Sequence, residues 1–242
     1  MTLVAFDADW DISQRLALIE ELSNTTRMVE LGVAEVHRFS GSNDFHHGAL
    51  QLLAQGYERL IKCTVIAAAC ARGDVMPKPR EIGHRLTGAH REMLDMISQV
   101  DEYASRPAVK EDLGFMRHDK QLAALLDLLS RFASGGRYFD LDAIVDKDAG
   151  DPDLSPSRIW SALELEFWDS ISGGLRIDEV PVDEVHARIG RAIAALFDRY
   201  SRAISRAWFL GALGPEGPAY GSGSLYEWTV LTDEQLGVPR AP

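Results

Sequence analysis

Apolar residues recur at helical spacing over nearly the whole of this chain, and nothing alternates with period two over a useful stretch. Side chains three and four apart line one face of a helix, so each such run must bury that face against a neighbour. The first run covers residues 12–36, with Leu16, Ile19, Leu22, Val29, Val33 and Val36 as its apolar spine. Ser40 to Asp44 reads as a loop ending in a cap, since short polar side chains accept from the open amides of a first turn. The second helix is expected over 44–71, where His46, Leu50, Leu53, Tyr57, Leu60, Ile61, Thr64 and Ala68 share one arc. Gly73 stops it, and Pro77-Lys78-Pro79 enforces an extended connection. A third helix is expected over 80–104, ended by Pro107, and a fourth over 109–133, with Leu122, Leu125, Leu126 and Leu129 inward and Gly135-Gly136 closing it. Two more follow, over 157–172 and 182–210. The expected fold is all-α: an antiparallel bundle of about six helices with a short irregular C-terminal tail.

Three regions are expected within that fold. Residues 1–145 form the main helical bundle. Residues 146–213 form an acidic linker with two further helices packed on the same bundle, because 146–156 turns to Asp, Gly, Pro and Ser. Residues 214–242 are a flexible linker, GPEGPAYGSGS, and a tail in which Leu225 to Leu231 could add a strand or pack on the helices. With 46% hydrophobic and 26% charged residues, the 242-residue chain can bury a real core. It has no run of about 18 apolar residues, so a membrane-spanning helix is not expected. The first eleven residues carry Asp7, Asp9 and Asp11 and no base, unlike a secretory signal. Two cysteines, Cys63 and Cys70, are too few for a disulfide framework, which points to a reducing cytoplasm.

The net charge of −12 at first argues against non-specific nucleic-acid binding, which runs on phosphate neutralisation. Its distribution weakens that argument. Residues 140–184 hold thirteen acids and three bases, whereas 185–214 hold five arginines and one acid. On the last long helix, Arg188, Arg191, Arg199, Arg202 and Arg206 share an arc of about 80° and a stripe roughly 27 Å long. Ile189, Ile193, Leu196, Phe197, Tyr200, Ile204 and Trp208 take the other side. Arginine suits planar, bidentate contact with phosphate or carboxylate. The stripe is therefore a phosphate-tracking surface, a solvated helix face, or the intramolecular match of the acidic block before it.

A second basic cluster surrounds the connection after the second helix: Arg72, Lys78, Arg80, Arg85 and Arg91 with His84 and His90, opposed by Asp74 and Glu81. It reads as a phosphate or nucleotide site, or as a polar surface loop. Glu81 and His84 have the Glu-x-x-His spacing of a carboxylate-bridged metal pair, but no second copy occurs. Asp183-Glu184-Val185-His186 is the nearest approach, so no metal and no cofactor are expected. His46 sits on the apolar seam as a core histidine. No Gly-x-Ser-x-Gly elbow or phosphate-cradling glycine loop is present. Metal-free RNA cleavage, with an imidazole moving the proton of a 2′-hydroxyl and an arginine steadying the charge, would fall to His84 or His90 with Arg80 or Arg85.

Ala54 to Lys62, reading AQGYERLIK, resembles the Ala-x3-Glu-x3-Lys helix of HEPN domains, the helical bundles of prokaryotic conflict and nucleotide-handling systems. Pro77-Lys78-Pro79 followed by Gly83-His84-Arg85-Leu86 is similar to the Gly-His-x-Leu element opening the next helix in that family, and Gly136-Arg137-Tyr138-Phe139 resembles its Arg-Tyr segment. The resemblance covers roughly residues 43 to 140. It implies a homodimer in which Glu58, Lys62, His84 and Arg137 cluster where the helices converge, as a ligand site or as a buried ionic network that fixes bundle register. Lys78 and Arg80 of the basic cluster are expected to join them in binding the ligand. Catalytic members are ribonucleases with an Arg-polar-x4–6-His motif in a late helix. Here Leu86 stands after Arg85, and the last long helix has no histidine beyond His186. That departure favours the non-catalytic branch, whose members bind nucleotides, RNA or protein partners. The alternatives are a metal-independent endoribonuclease and a structural or regulatory scaffold.

Overall fold

The computed structural model describes residues 10–40, 46–145 and 155–240. Among them are eleven α-helices and no strand. They are α1 (Ile12–Val36), α2 (His46–Ala71), α3 (Leu86–Ser98), α4 (Asp101–Ala104), α5 (Pro107–His118), α6 (Lys120–Ser134), α7 (Phe139–Val145), α8 (Pro156–Ile171), α9 (Val182–Phe209), α10 (Gly217–Gly221) and α11 (Tyr226–Thr229). None is long and apolar enough to cross a membrane. The expected cap at Asp44 and most of the 146–156 boundary lie outside the described residues.

The all-α expectation holds and the count of about six does not, for local reasons. Gly83 adopts φ +82°, a conformation that favours glycine and ends helical winding, so residues 80–85 turn and α3 begins only at Leu86. Pro107 opens α5 rather than merely closing a predecessor, since a first-turn proline lacks an amide that had no partner there anyway. Asp119 then divides the expected fourth helix: its carboxylate accepts from the Leu122 amide at 2.9 Å and restarts the chain as α6. Leu122, Leu125, Leu126 and Leu129 are buried on α6. On α1, a capping box between Asp11 and Gln14 fixes the start, but Leu16 and Ile19 stay exposed, while Leu18, Leu22 and Val29 are buried.

Two long helices organise the rest. α1 and α2 run antiparallel in close contact, with Gly32 beside Leu53 and Gly56 beside Val29. A Cβ on Gly32 would lie 2.7 Å from the Leu53 side chain, so glycine is what lets the backbones approach. α2 and α9 run in the same direction: Tyr57 meets Phe197 and Ser201, and Thr64 meets Trp208. The packing is therefore not uniformly antiparallel. At this seam the Tyr57 hydroxyl donates to the Phe197 carbonyl at 3.0 Å and shares a 2.9 Å bond with Ser201 Oγ, and the Trp208 indole donates to Thr64. Buried polar groups pair in this way because an orphaned one would cost its full desolvation.

The tail also departs from expectation. Residues 214–240, expected as a flexible linker and irregular tail, fold onto α9 through α10 and α11. Tyr220, Leu225, Trp228 and Leu231 are buried there, so the Leu225–Leu231 segment packs instead of forming a strand.

Candidate functional site

A cleft of about 820 Å³ follows one stripe of α2 from Gln51 through Glu58 and Lys62 to Ile66. Glu21 of α1, the 79–85 turn with His84 and Arg85, and the end of α6 with Arg137 complete its walls. Glu58, Lys62, His84, Arg85 and Arg137, far apart in sequence, thus line one groove. Pro79 also lines it, whereas Lys78 and Arg80, flanking that proline, are exposed and outside the lining.

Glu58 is the pivot. Its Oε1 accepts from Lys62 Nζ at 2.7 Å and lies 2.9 Å from His84 Nδ1. Glu58 and Lys62 are four apart on one helix face, and both are mostly buried, whereas the His84 side chain is 70% exposed. A carboxylate can only accept, so Nδ1–H donates to Glu58. Arg59 is held in a bidentate pair with Glu21, Nε at 2.5 Å and Nη2 at 2.6 Å. Lys62 and Arg59 are therefore each matched by a carboxylate. Arg85 and Arg137 are exposed and have no carboxylate partner among the described residues; Arg137 lies 5.0 Å over the Tyr138 ring. Ala54, Cys63, Ile66 and Phe132 supply apolar lining. Burial pushes the Cys63 thiol up to about 12, so it stays protonated and is no nucleophile.

The other candidate residues go elsewhere. His90 is buried on α3 with both ring nitrogens occupied: Nε2–H donates to the Met116 carbonyl at 3.0 Å, and Nδ1 accepts from the Tyr200 hydroxyl at 2.7 Å. Burial lowers its basicity, and neither nitrogen is open to a substrate, which corrects its candidacy as a catalytic histidine. Glu81 and His84 do not share a helix face. Glu81 Oε2 instead accepts from the Lys78 amide at 2.8 Å. Among the described residues no group of three or more His, Cys, Asp or Glu is placed to hold a metal. His46 stacks edge-on against Phe39, with Glu164 4.0 Å from its Nε2 and 3.9 Å from His186 Nδ1.

The arginine stripe of α9 is largely covered. Arg206 makes two bonds to Asp112 of α5, at 2.9 and 3.2 Å, and that carboxylate is 2% exposed. Burial raises the Asp112 pKa and the Arg206 guanidinium opposes the rise. Arg202 is buried and donates to the Leu231 carbonyl at 3.0 Å and to Asp233 at 2.7 Å, holding the Asp233 carboxyl below its ordinary range. Arg199 lies 4.2 Å over the Phe115 ring and bonds Glu111 at 3.2 Å. Arg188 pairs with Glu184, one turn before it. Only Arg191 is exposed without a carboxylate among the described residues. Of the acidic 140–184 block, Glu184 reaches the stripe, pairing with Arg188; the partners of Arg199, Arg202 and Arg206 come from α5 and the tail.

Compared with known proteins, the chain matches no family model, no curated protein and no solved structure. The groove must therefore be read from its own chemistry. Sequence reasoning missed Glu21 and the Glu21–Arg59 pair, as well as the apolar lining, because no local pattern marks a contact between α1 and α2.

Proposed function

We infer that this is a HEPN-like binding protein whose ligand, a phosphate-bearing molecule of nucleotide size, sits in the α2 groove. What carries the reading is the pair of exposed guanidiniums, Arg85 and Arg137, with no carboxylate partner among the described residues, in one groove where Arg59 and Lys62 are already matched. Arginine offers bidentate donors suited to phosphate, and the volume lies within the usual range for small-molecule sites. In this reading the protein works in the cytoplasm as a homodimer, as the resemblance implies, and its helices are the family's bundle with the tail added.

A thermal-shift series with mononucleotides tests it, because a ligand that binds only the native state stabilises it by about 2.7 kcal/mol at a hundredfold excess over Kd. Stabilisation should be lost in Arg85→Ala or Arg137→Ala. The reading fails if no phosphate-bearing ligand raises the melting temperature.

One observation favours a second reading. The Glu58–His84 bond orients an exposed imidazole beside Arg85, an arrangement suited to proton transfer from a ribose 2′-hydroxyl. Cleavage of labelled single-stranded RNA that His84→Ala abolishes would establish a ribonuclease instead.

A further inference from the structure

The acidic stretch before α9 keeps its charge at the surface. Residues 165–184 hold six acids, Glu166, Asp169, Asp178, Glu179, Asp183 and Glu184, all exposed, and one base, Arg176. That base is engaged locally: its guanidinium makes two bonds to Asp178, at 3.0 and 2.8 Å, and its amide donates to Glu179 at 3.2 Å. Glu184 pairs with Arg188 on its own helix. Glu166 and Asp169 have no basic partner among the described residues.

Five apolar side chains of the same stretch, Leu165, Ile171, Leu175, Ile177 and Val182, are 37 to 58% exposed. One exposed leucine is ordinary, but these belong to a single corner of the molecule. α8 ends at Ile171, and after Gly173-Gly174 the chain folds back, where the Trp168 indole, buried on α8, donates to the Leu175 carbonyl at 3.1 Å. Leu175 is thereby held beside the turn of α8 that follows Leu165. Val180 and Val185, on either side of Val182, pack against the core. The connection from α8 to α9 is therefore anchored, with its remaining apolar groups left in solvent.

We propose that this corner docks a partner protein through a basic amphipathic segment, whose apolar stripe meets Leu165, Leu175, Ile177 and Val182 while its flanking lysines or arginines meet Glu166, Asp169 and Glu179. Apolar side chains rimmed by charge have the anatomy of an interface, and the single sign of that charge selects the partner. The same charge repels nucleic acid and anionic membrane surfaces. None of these residues lines the α2 cleft, so the docking face stands independently of the phosphate reading.

Isothermal titration with three synthetic peptides tests the proposal: a leucine–lysine amphipathic helix, an isomer of the same composition with its leucines spread around the helix, and a leucine–glutamate counterpart. The amphipathic leucine–lysine peptide should bind tightest. Leu175→Ser/Ile177→Ser and Glu166→Lys/Asp169→Lys should each weaken it about tenfold. Leu141→Ser/Ile144→Ser on α7, where exposed apolar side chains also stand beside acids, should leave it unchanged. All six positions are exposed, and unchanged melting temperatures will show that the variants are folded. Equal binding of the isomer, or an equal loss in the α7 variant, reduces the contact to unspecific charge attraction and overturns the proposal. Equal binding of the leucine–glutamate peptide does the same. Sedimentation tests the other occupant: a parent dimer that Leu175→Ser/Ile177→Ser converts to monomer makes the face a contact between two copies of this chain, and overturns a separate partner.

Discussion

The groove on α2 and the basic face of α9 are both built around arginines, yet they meet opposite fates. On α9, Arg199, Arg202 and Arg206 are gripped by carboxylates and a carbonyl from α5 and the tail. In the groove, Arg85 and Arg137 project with no such partner among the described residues. A guanidinium that ties three segments together is a structural element, whereas one facing a cleft remains available to an anion. The helical wheel of α9 left a phosphate surface, a solvated face and an intramolecular match all open, and packing gives four of its five arginines a carboxylate partner.

The sharpest break of this contrast is Arg206→Ala. It leaves the buried Asp112 carboxylate without its partner and should cost about 3 kcal/mol, read as a lower urea midpoint. Arg85→Ala and Arg137→Ala should stay within about 0.5 kcal/mol of the parent. If all three variants melt alike, α9 and the groove do not differ as described.

Next in size is Gly237→Ala. The tail reaches α9 at Gly237, where φ is +69° and a Cβ would stand 2.4 Å from the Arg191 carbonyl. Its amide donates to the buried Asp198 carboxylate, which Arg240 also grips. Strain and lost docking should cost about 2 kcal/mol and raise amide exchange across 225–240. Unchanged exchange would show that the tail does not depend on this seat.

Smaller still, Tyr57→Phe deletes the hydroxyl joining α2 to α9 and should cost about 1 kcal/mol in a urea titration, with ligand affinity in the groove unaltered. A change in affinity would mean that the seam and the groove are coupled.

The mildest test concerns pH. Burial holds the His90 imidazole below its ordinary value of 6.5, so the folded chain keeps it neutral while the unfolded chain takes up a proton as pH falls. Its contribution is present above 6.5 and declines below it, until the folded group also titrates. The slope is at most about 1.4 kcal/mol per pH unit. Urea midpoints at pH 7.5 and 5.5 should converge less in the parent than in His90→Gln. An equal pH response in both would mean that His90 does not carry this linkage.

Helical class and the longest elements were legible because their causes are local. The 3.6-residue recurrence marks α1, α2, α8 and α9 closely, and the buried side of α9, Ile189, Ile193, Phe197, Tyr200, Ile204 and Trp208, is the side the pattern assigns to the core. The Asp119 cap was not legible, because an aspartate within an amphipathic run reads as one more polar face residue until its side chain turns onto the Leu122 amide. Three groove residues, Glu58, Lys62 and Arg137, were named only through a resemblance, His84 and Arg85 also stood out in the basic cluster, and the Glu21–Arg59 pair had no sequence signal.

By itself, then, the amino-acid order determined where the chain winds into helices and which face of each is apolar, because both depend on residues within a few positions of one another. Tertiary structure alone decided which arginines meet carboxylates on other helices. Asp112 and Arg206, or Glu21 and Arg59, are joined across dozens of residues, and such charges meet only when packing of the apolar faces brings their helices together.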